Sequence, residues 1–126
     1  MRSSTRSKAS LVLNRGEVWL ADLNPRRGTE AGKKRPVLVV QSQDLLNAGH
    51  PSTLVVPLTT GLIDDAEPLR IRVAATERLR HNSDLLLDQL RAIDNRRLVE
   101  GPLARFAQAL MDRVDMALAA VLDLIK

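Results

Sequence analysis

The feature that most constrains the fold is a change in hydrophobic period near residue 107. Before that point, apolar residues occur in short runs, several of them alternating with polar residues, and Gly, Pro, Asn and Asp separate the runs. Alternation is typical of half-buried strands, whereas a 3.6-residue period indicates an amphipathic helix. We therefore predict a mainly β domain of the α+β class, a small antiparallel barrel or strongly curved sheet, followed by one helix over 107–125. The apolar face of that helix comprises Phe106, Leu110, Val114, Leu118, Val121 and Ile125.

Six segments before residue 107 are predicted to be strands. They are 16–23, 37–42, 53–61, 68–75, 83–94 and 97–106, and a short helical turn or loop is predicted at 43–51. Pro57 has no backbone N–H, which predicts that the third strand lies at a sheet edge or carries a bulge. The spacing in 83–94 also suits a helix, but its flanking residues favour a strand followed by a short turn at 94–97. Gly101-Pro102 is expected to interrupt the last strand.

The positive charge of the chain is unevenly placed. The net charge is +4, but residues 1–10 hold three cations and no acid, so the other 116 residues carry 16 cations and 15 acids. We expect the basic, Ser-rich residues 1–13 to form a disordered tail and residues 14–126 to form a single domain. Binding of a polyanion then depends on two local clusters, which are Arg26, Arg27, Lys33, Lys34 and Arg35 in the first and Arg70, Arg72, Arg78 and Arg80 in the second.

Several function classes are excluded by residue types that are missing or scarce. The chain has no Cys, which rules out disulfides, thiolate nucleophiles and thiolate metal sites and suits a reducing cytoplasm. No run approaches the roughly 18 apolar residues of a membrane span, so no membrane association is expected. One Trp, one Phe and no Tyr are too few for a protein that stacks unpaired bases on aromatic rings. RNA-recognition-motif and cold-shock folds are therefore not expected.

Catalytic and cofactor motifs with a fixed spacing are absent from the sequence. There is no HxxH, HExxH, P-loop, GxSxG or GxGxxG, so no metal and no cofactor is predicted. His50 and His81 suggest an acid–base pair like that of a pancreatic-type ribonuclease. Both lie in loop-like segments without a partner at a recognisable spacing, and we predict exposed surface positions for them. Thr59 and Thr60 end the third strand on opposite faces, so one hydroxyl can reach a pocket, although Thr is common at strand ends.

One loop, residues 24–36, combines charge with backbone freedom. Two glycines permit positive φ and close approach of backbone N–H groups to an anion, and a carboxylate stands among several cations. Composition alone fits a solvated surface loop as well. Arg35 begins the apolar strand and is expected to be held more firmly than Lys33 or Lys34. A fixed guanidinium can bind a phosphate through two N–H groups, and a strand-end salt bridge is the alternative for it.

Four blocks of the sequence together resemble the MazF/PemK family of bacterial toxins, which are sequence-specific endoribonucleases of toxin–antitoxin modules. The blocks are RGEVWLADLNPRRGTEAGKKRPVLVVQS, TLVVPLTT, LLLDQLRAIDNRRL and LMDRVDMALAAVLDLI, in the order found in the family. The resemblance implies an SH3-like antiparallel barrel of the CcdB/MazF type with a C-terminal amphipathic helix, assembled as a homodimer. Met111 and Met116 lie with the apolar face of the helix and are expected to pack in the core or at a subunit interface, and Met111 and Leu122 are candidate positions for contact with the second subunit.

The resemblance also implies an activity and the residues that carry it. Members of the family cleave single-stranded RNA without a metal, leave a 2′,3′-cyclic phosphate and a 5′-hydroxyl, and so inhibit translation and growth in the cytoplasm. A MazE-like antitoxin blocks the RNA groove. By position, the catalytic residues fall on Arg35, Thr59 and Glu30. The RNA-binding residues are expected to be Asn24, Arg26, Arg27, Lys33, Lys34, Gln89 and Arg91.

These residue types suit attack by a ribose 2′-hydroxyl on its own phosphate. The reaction needs a proton acceptor, stabilisation of a dianionic phosphorane and a proton donor for the leaving 5′-oxygen. Arg35 stays protonated and is expected to stabilise the charge, and Thr59 is expected to donate to a non-bridging oxygen. Glu30 is the carboxylate nearest to them in sequence and is the expected base. The final proton donor is left open between Arg35 and water.

Two other functions are compatible with the same barrel. A CcdB-type gyrase poison depends on a Trp-Gly-Ile sequence, but the only tryptophan here is Trp19 in the first predicted strand. A non-catalytic RNA-binding or protein-interaction module is the other alternative, and the presence of Arg35, Thr59 and Glu30 argues against it. A nuclease would lose cleavage and keep RNA binding in an Arg35→Ala variant, which distinguishes it from both.

Overall fold

The computed structural model describes residues 11–25, 27–30 and 33–124. The predicted segment 83–94 consists of two strands separated by a 3₁₀ turn at 87–89, and a second 3₁₀ turn covers 95–97. No helix among the described residues has the length and apolar character needed to cross a membrane. The elements of these residues are, in chain order, β1 (Glu17–Asp22), β2 (Lys34–Val39), α1 (Gln43–Asn47), β3 (Ser52–Thr59), β4 (Arg70–Val73), β5 (Ser83–Leu86), β6 (Arg91–Asp94), β7 (Leu98–Arg105) and α2 (Gln108–Val121).

The strands form one antiparallel, strongly curved sheet. Its order is β4-β5-β3-β2-β1-β7, and β6 pairs with the first half of β3. Strand pairing does not close the sheet within the part of the chain that is described. The β4–β5 connection nevertheless reaches β7, where Arg78 N donates to Leu103 O at 2.8 Å. The predicted mainly β, barrel-like arrangement with a C-terminal helix is thereby confirmed.

β1, β2 and β3 are apolar on both faces because they separate two hydrophobic clusters. One cluster, centred on Val18, Leu38 and Val56, packs against Met111 and Val114 of α2. A strand that is buried on both faces carries apolar residues at successive positions, which explains the run VLVV that begins in β2. The second cluster lies on the opposite face and comprises Leu13, Trp19, Ala21, Leu23, Val37, Val39, Val55, Leu86, Ile93 and Leu98.

The predicted N-terminal tail is only partly described. Residues 1–10, which carry its three cations, lie outside the described residues. Leu13, the last residue of that tail, is buried in the second hydrophobic cluster. Leu13, which was predicted to belong to the tail, is therefore part of the hydrophobic core.

Pro57 lies in a strand that is paired on both sides, so the predicted edge position is wrong. Val40 N donates to Leu54 O, and the alternation of the ladder then places Pro57 at a non-hydrogen-bonded position opposite β2. On its other side, β3 pairs with β6 up to Val55 and with β5 from Leu58 onward. The missing N–H of Pro57 therefore lies at the point along β3 where pairing with β6 has ended and pairing with β5 has not yet begun.

α2 ends at Val121, earlier than the predicted end at 125. Asp123 adopts a left-handed conformation with φ of 59°, and Leu124 N donates to Ala119 O at 2.7 Å. Asp123 N also donates to Ala120 O, and the two bonds together form a Schellman motif that stops the helix. The usual sequence signal for this motif, a glycine in the left-handed position, is absent here.

The structure corrects two expectations about β7 and α2. The last strand is continuous from Leu98 to Arg105, so the predicted interruption at Gly101-Pro102 is wrong, and only the register with β1 shifts there. Met111 is buried in the core beneath the sheet, so the expectation that it faces a second subunit is wrong. Leu122 is half exposed beyond the end of α2.

Candidate active site

The ends of β2 and β3 bring Arg35 and Thr59 together. The β2–β3 pairing ends with Val37 opposite Pro57, and Arg35 and Thr59, two residues further along their strands, both line the cleft beyond it. Arg35 is half-buried, and its Nη1 donates to Leu58 O at 3.2 Å. The guanidinium is thereby tethered to the end of β3, as expected for an arginine that begins a buried strand.

A cleft of about 240 Å³ opens over this pair. It holds three cationic side chains, and no carboxylate lines it among the residues that the structure describes. A concave site with charge of one sign attracts an anion such as a phosphodiester. The residues that line the cleft are Lys33, Lys34, Arg35, Pro36, Leu58, Thr59, Thr60, His81 and Ser83.

The hydroxyl of Thr59 is positioned by its own backbone turn. Its Oγ1 accepts a hydrogen bond from Gly61 N at 3.1 Å. Because the oxygen serves as the acceptor in that bond, the hydroxyl proton is able to donate to an oxyanion in the cleft. Thr59 is half-buried, whereas its neighbour Thr60 is exposed. Of the two adjacent hydroxyls, Thr59 is therefore the better fixed.

A buried carboxylate, Asp84, holds the strand on the other side of Thr59. The two residues are paired across β3 and β5. Asp84 accepts hydrogen bonds from Ile63 N at 2.9 Å, Arg70 Nη1 at 3.1 Å and Arg72 Nε at 2.5 Å. Burial by itself raises the pKa of Asp84, but the bonds from Arg72, Ile63 N and Arg70 outweigh it and hold the pKa below its usual value. Through these bonds Asp84 ties β5 to β4 beside the cleft.

His81 lines the cleft, which sequence reasoning missed. The side chain is exposed, as predicted, but it lies where β5 approaches the ends of β2 and β3. Ser83 is buried, and its Oγ donates to His81 O at 3.0 Å, which fixes the backbone of His81 beside the cleft. Nothing in the local sequence RHNSD signals this position, because the other cleft residues are distant along the chain. His50 is exposed elsewhere, with its Nδ1 2.9 Å from Ser52 O.

The second cationic cluster is largely neutralised. Arg70 and Arg72 both pair with Asp84, and Arg78 pairs with Glu100. The depression beside the first two, of about 570 Å³, is lined by four carboxylates and would repel a phosphate. It contains no recognisable metal centre either, since no group of three or more His, Asp or Glu side chains suited to a metal ion occurs within the described ranges.

Three of the predicted site residues lie in a different depression. Glu30, Gln89 and Arg91 line a hollow of about 540 Å³, where Gln89 Nε2 donates to Thr29 O at 3.2 Å. The structure therefore does not bring Glu30 into the cleft of Arg35 and Thr59. That expectation rested on the match to the family's loop glutamate and on proximity along the chain, and the loop directs Glu30 toward the 3₁₀ turn after β5 instead.

The remaining predicted RNA-binding residues divide into one structural residue and exposed cations. Asn24 closes the loop, because its Oδ1 accepts from Lys33 N at 2.7 Å and its backbone O accepts from Arg97 Nη1 at 2.7 Å. Lys33 and Lys34 are exposed and line the cleft, and Arg27 is an exposed residue of the same loop. The predicted contact of Arg26 lies outside the described residues.

Comparison with known proteins identifies several relatives. A family model described as PemK-like, MazF-like toxin of type II toxin–antitoxin system matches residues 14–122. Endoribonuclease EndoA of Bacillus subtilis (strain 168) is 35% identical over 116 residues, which cover 91% of this chain and 98% of that protein.

Solved structures show the same architecture. MazF from Deinococcus radiodurans superposes with a TM-score of 0.73 at 23% identity, covering 90% of this chain and 99% of that one. An endoribonuclease in complex with its cognate antitoxin, from a mycobacterial species, gives 0.69 at 21% identity, covering 91% and 97%. These likenesses establish the fold of a curved antiparallel sheet with a C-terminal helix.

Proposed function

Because the chain belongs to the PemK-like, MazF-like toxin family of type II toxin–antitoxin systems, we propose that it is a toxin that cleaves single-stranded RNA. The observation that carries this proposal is the cleft that Arg35 and Thr59 both line, together with two lysines. A half-buried guanidinium beside a fixed hydroxyl, in a cleft lined by cations, suits a phosphodiester that gains charge during reaction.

The proposed reaction is an internal transesterification of RNA. The ribose 2′-oxygen forms a bond to the adjacent phosphorus, and the bond from phosphorus to the 5′-oxygen of the next nucleotide breaks. The products are a 2′,3′-cyclic phosphate and a 5′-hydroxyl. Arg35 stabilises the dianionic phosphorane, and the Thr59 hydroxyl donates to one of its non-bridging oxygens. Neither role requires a metal ion.

Binding of the RNA backbone falls to the exposed cations around the cleft. Lys33 and Lys34 line it, and Arg27 lies in the same loop. Each phosphate that these side chains neutralise releases counterions, so affinity falls as salt rises. The scarcity of aromatic residues means that backbone charge and hydrogen bonds, rather than base stacking on rings, dominate this affinity.

The proposed partners follow from the same family. A cognate MazE-like antitoxin would cover the RNA-binding surface, and the proposal is supported by the mycobacterial relative, whose structure contains its cognate antitoxin. We also propose a homodimer, with the half-exposed Leu122 and the exposed Met116 of the α2 region as candidate contacts. We also propose that the protein acts in the cytoplasm, where messenger RNA is translated.

RNA cleavage in excess EDTA tests this function. Purified wild type, Arg35→Ala and a control Arg113→Ala are incubated with a long single-stranded RNA, and the new ends are mapped. Arg113 is an exposed arginine of α2 paired with Glu67, far in sequence from the cleft residues. We expect wild type and the control to cut at one short sequence and Arg35→Ala to be slower by about 10²–10³-fold, with RNA affinity within about threefold.

Two results would contradict the proposal. Cuts that persist at the wild-type rate in Arg35→Ala would place the active site elsewhere. RNA binding without cleavage by the wild-type protein would support a non-catalytic binding module instead.

A further inference from the structure

Transesterification requires a group that accepts the proton of the 2′-hydroxyl. The carboxylate nearest in sequence, Glu30, lies in the separate hollow with Gln89 and Arg91. Asp84 is the carboxylate nearest to Thr59 in the strand pairing, but it is buried and holds Arg70 and Arg72. Neither carboxylate is placed to take a proton from a substrate in the cleft.

The side chains that do line the cleft leave one candidate. Three of them are lysine or arginine, which are protonated at neutral pH and do not accept a proton. Three more are the hydroxyls of Thr and Ser, and two are the apolar Pro36 and Leu58. Among the cleft residues that the structure describes, only His81 carries a group that ordinarily exchanges a proton between pH 5 and 8. An imidazole in this range is the side chain most often used for general acid–base catalysis.

The position of His81 suits that task. β3 lies between β2 and β5, and the cleft at their ends is lined by Arg35 of β2, Thr59 of β3 and His81 of the segment that precedes β5. The bond from Ser83 Oγ to His81 O holds this end of the β4–β5 connection in place.

The charged side chains that line the cleft with His81 are all cations. The charged groups that line the cleft are Lys33, just before β2, and Lys34 and Arg35 at its start, and the end of β3 contributes no charged group. On its own segment, Arg80 is the adjacent charged residue, and the carboxylate of Asp84 is engaged by the arginines of β4. Among the described residues that line the cleft, no carboxylate competes with the imidazole for the substrate proton.

We propose that His81 is the general base of the cleft, an inference that rests on the proposed function. The neutral imidazole accepts the 2′-hydroxyl proton as the bond from the 2′-oxygen to phosphorus forms. The bond to the 5′-oxygen breaks, that oxygen takes a proton from water, and the imidazolium returns its proton to solvent. His81 thereby replaces Glu30 in the base role expected from the sequence.

Single-turnover cleavage between pH 5 and 8 tests this role in His81→Ala, with His50→Ala as the matched control. His50 is the other histidine of the chain and is exposed away from the cleft. We expect His81→Ala to be slower by about 10²-fold or more, with RNA affinity within about threefold of wild type. Wild type and His50→Ala should show a rate that rises with pH at the acidic end of this range. That rise should be absent in His81→Ala, and added imidazole should restore part of its rate.

The outcomes separate this inference from the proposed function. A pH-dependent rise that persists in His81→Ala, or a rate within threefold of wild type, overturns the role of His81 while RNA cleavage stands. Absence of cuts by the wild-type protein overturns the proposed function and this role together. If His81→Ala fails to fold, His81→Asn provides the same comparison, because Asn keeps a polar side chain that does not titrate.

Discussion

Gly101 offers a direct test of how β1 and β7 pack. A Cβ added at Gly101 would lie 2.4 Å from Trp19 Cδ2 and 2.7 Å from Cγ. Normal carbon–carbon contacts are about 3.5 Å, so the ring or the strand would have to move by about 1 Å. Trp19 is buried, and its Nε1 donates to Glu17 Oε1 at 3.0 Å, so the ring cannot move without weakening a bond to a buried carboxylate.

The expected cost of Gly101→Ala follows from these contacts. Overpacking a close-packed site costs about 1–3 kcal/mol, and weakening the hydrogen bond to a charged acceptor adds about 1 kcal/mol. We therefore expect the free energy of unfolding to fall by about 3 kcal/mol. Unfolding entropy of about 2.1 cal/mol/K per residue converts this loss into a fall in Tm of about 11 °C for a chain of this length.

Thermal unfolding followed by circular dichroism measures the effect, with Gly61→Ala as the control. A Cβ at Gly61 would lie 3.5 Å from Thr59 Oγ1, an ordinary contact, so its Tm should stay within about 3 °C of wild type. A Gly101→Ala protein that melts within 2 °C of wild type would refute the described packing of Trp19 against β7.

Three further predictions concern the cleft and the surface. The double variant Lys33→Gln, Lys34→Gln should bind RNA more weakly than wild type. The slope of its log affinity against log salt, measured by fluorescence anisotropy, should be smaller by about 1.4. An unchanged slope would mean that neither lysine contacts a phosphate. Thr59→Val should slow cleavage by about 10–100-fold, while Thr60→Val stays within about threefold, and equal losses would contradict the assignment to Thr59. The pKa of Asp94 is lowered to about 2 by hydrogen bonds from the neighbouring arginine side chain and backbone. Its stabilising contribution is therefore complete above pH 4 and lost as pH falls toward 2, so the Tm of Asp94→Asn should depend less on pH than that of wild type between pH 4 and 2.

The strand pattern could be predicted from the sequence because alternation and turn residues are local signals. The two-sided environment of Pro57 could not, since it depends on β5 and β6, which follow β3 by many residues and replace each other along it. The end of α2 could not be predicted from the sequence either, because a non-glycine residue, Asp123, adopts the left-handed conformation there. Met111 was misplaced because the wide apolar stripe of α2 does not reveal which part of it meets the sheet.

The residues of the candidate site also differ in whether their positions could be predicted from the sequence. Arg35 and Thr59 were identified from their positions at strand ends and from the resemblance to the family, and both line the same cleft. Glu30 was chosen by that resemblance and by closeness in sequence, neither of which determines where the side chain of a loop residue lies. His81 was considered as half of an acid–base pair, but nothing local indicated the cleft, since it reaches the cleft only through the pairing of β5 with β3. Loop placement and long-range strand pairing are what the sequence pattern leaves undetermined.

The central claim is that this cleft promotes attack by the RNA's own 2′-hydroxyl. Its most direct test is an RNA oligonucleotide that spans the mapped cut, compared in excess EDTA with the same oligonucleotide carrying one 2′-deoxyribose at the cut. We predict that the wild-type protein binds both with similar affinity, cuts the all-ribose strand to a cyclic phosphate and leaves the substituted strand intact. Cleavage of the substituted strand at a comparable rate would contradict the account, because it would require water or another external nucleophile.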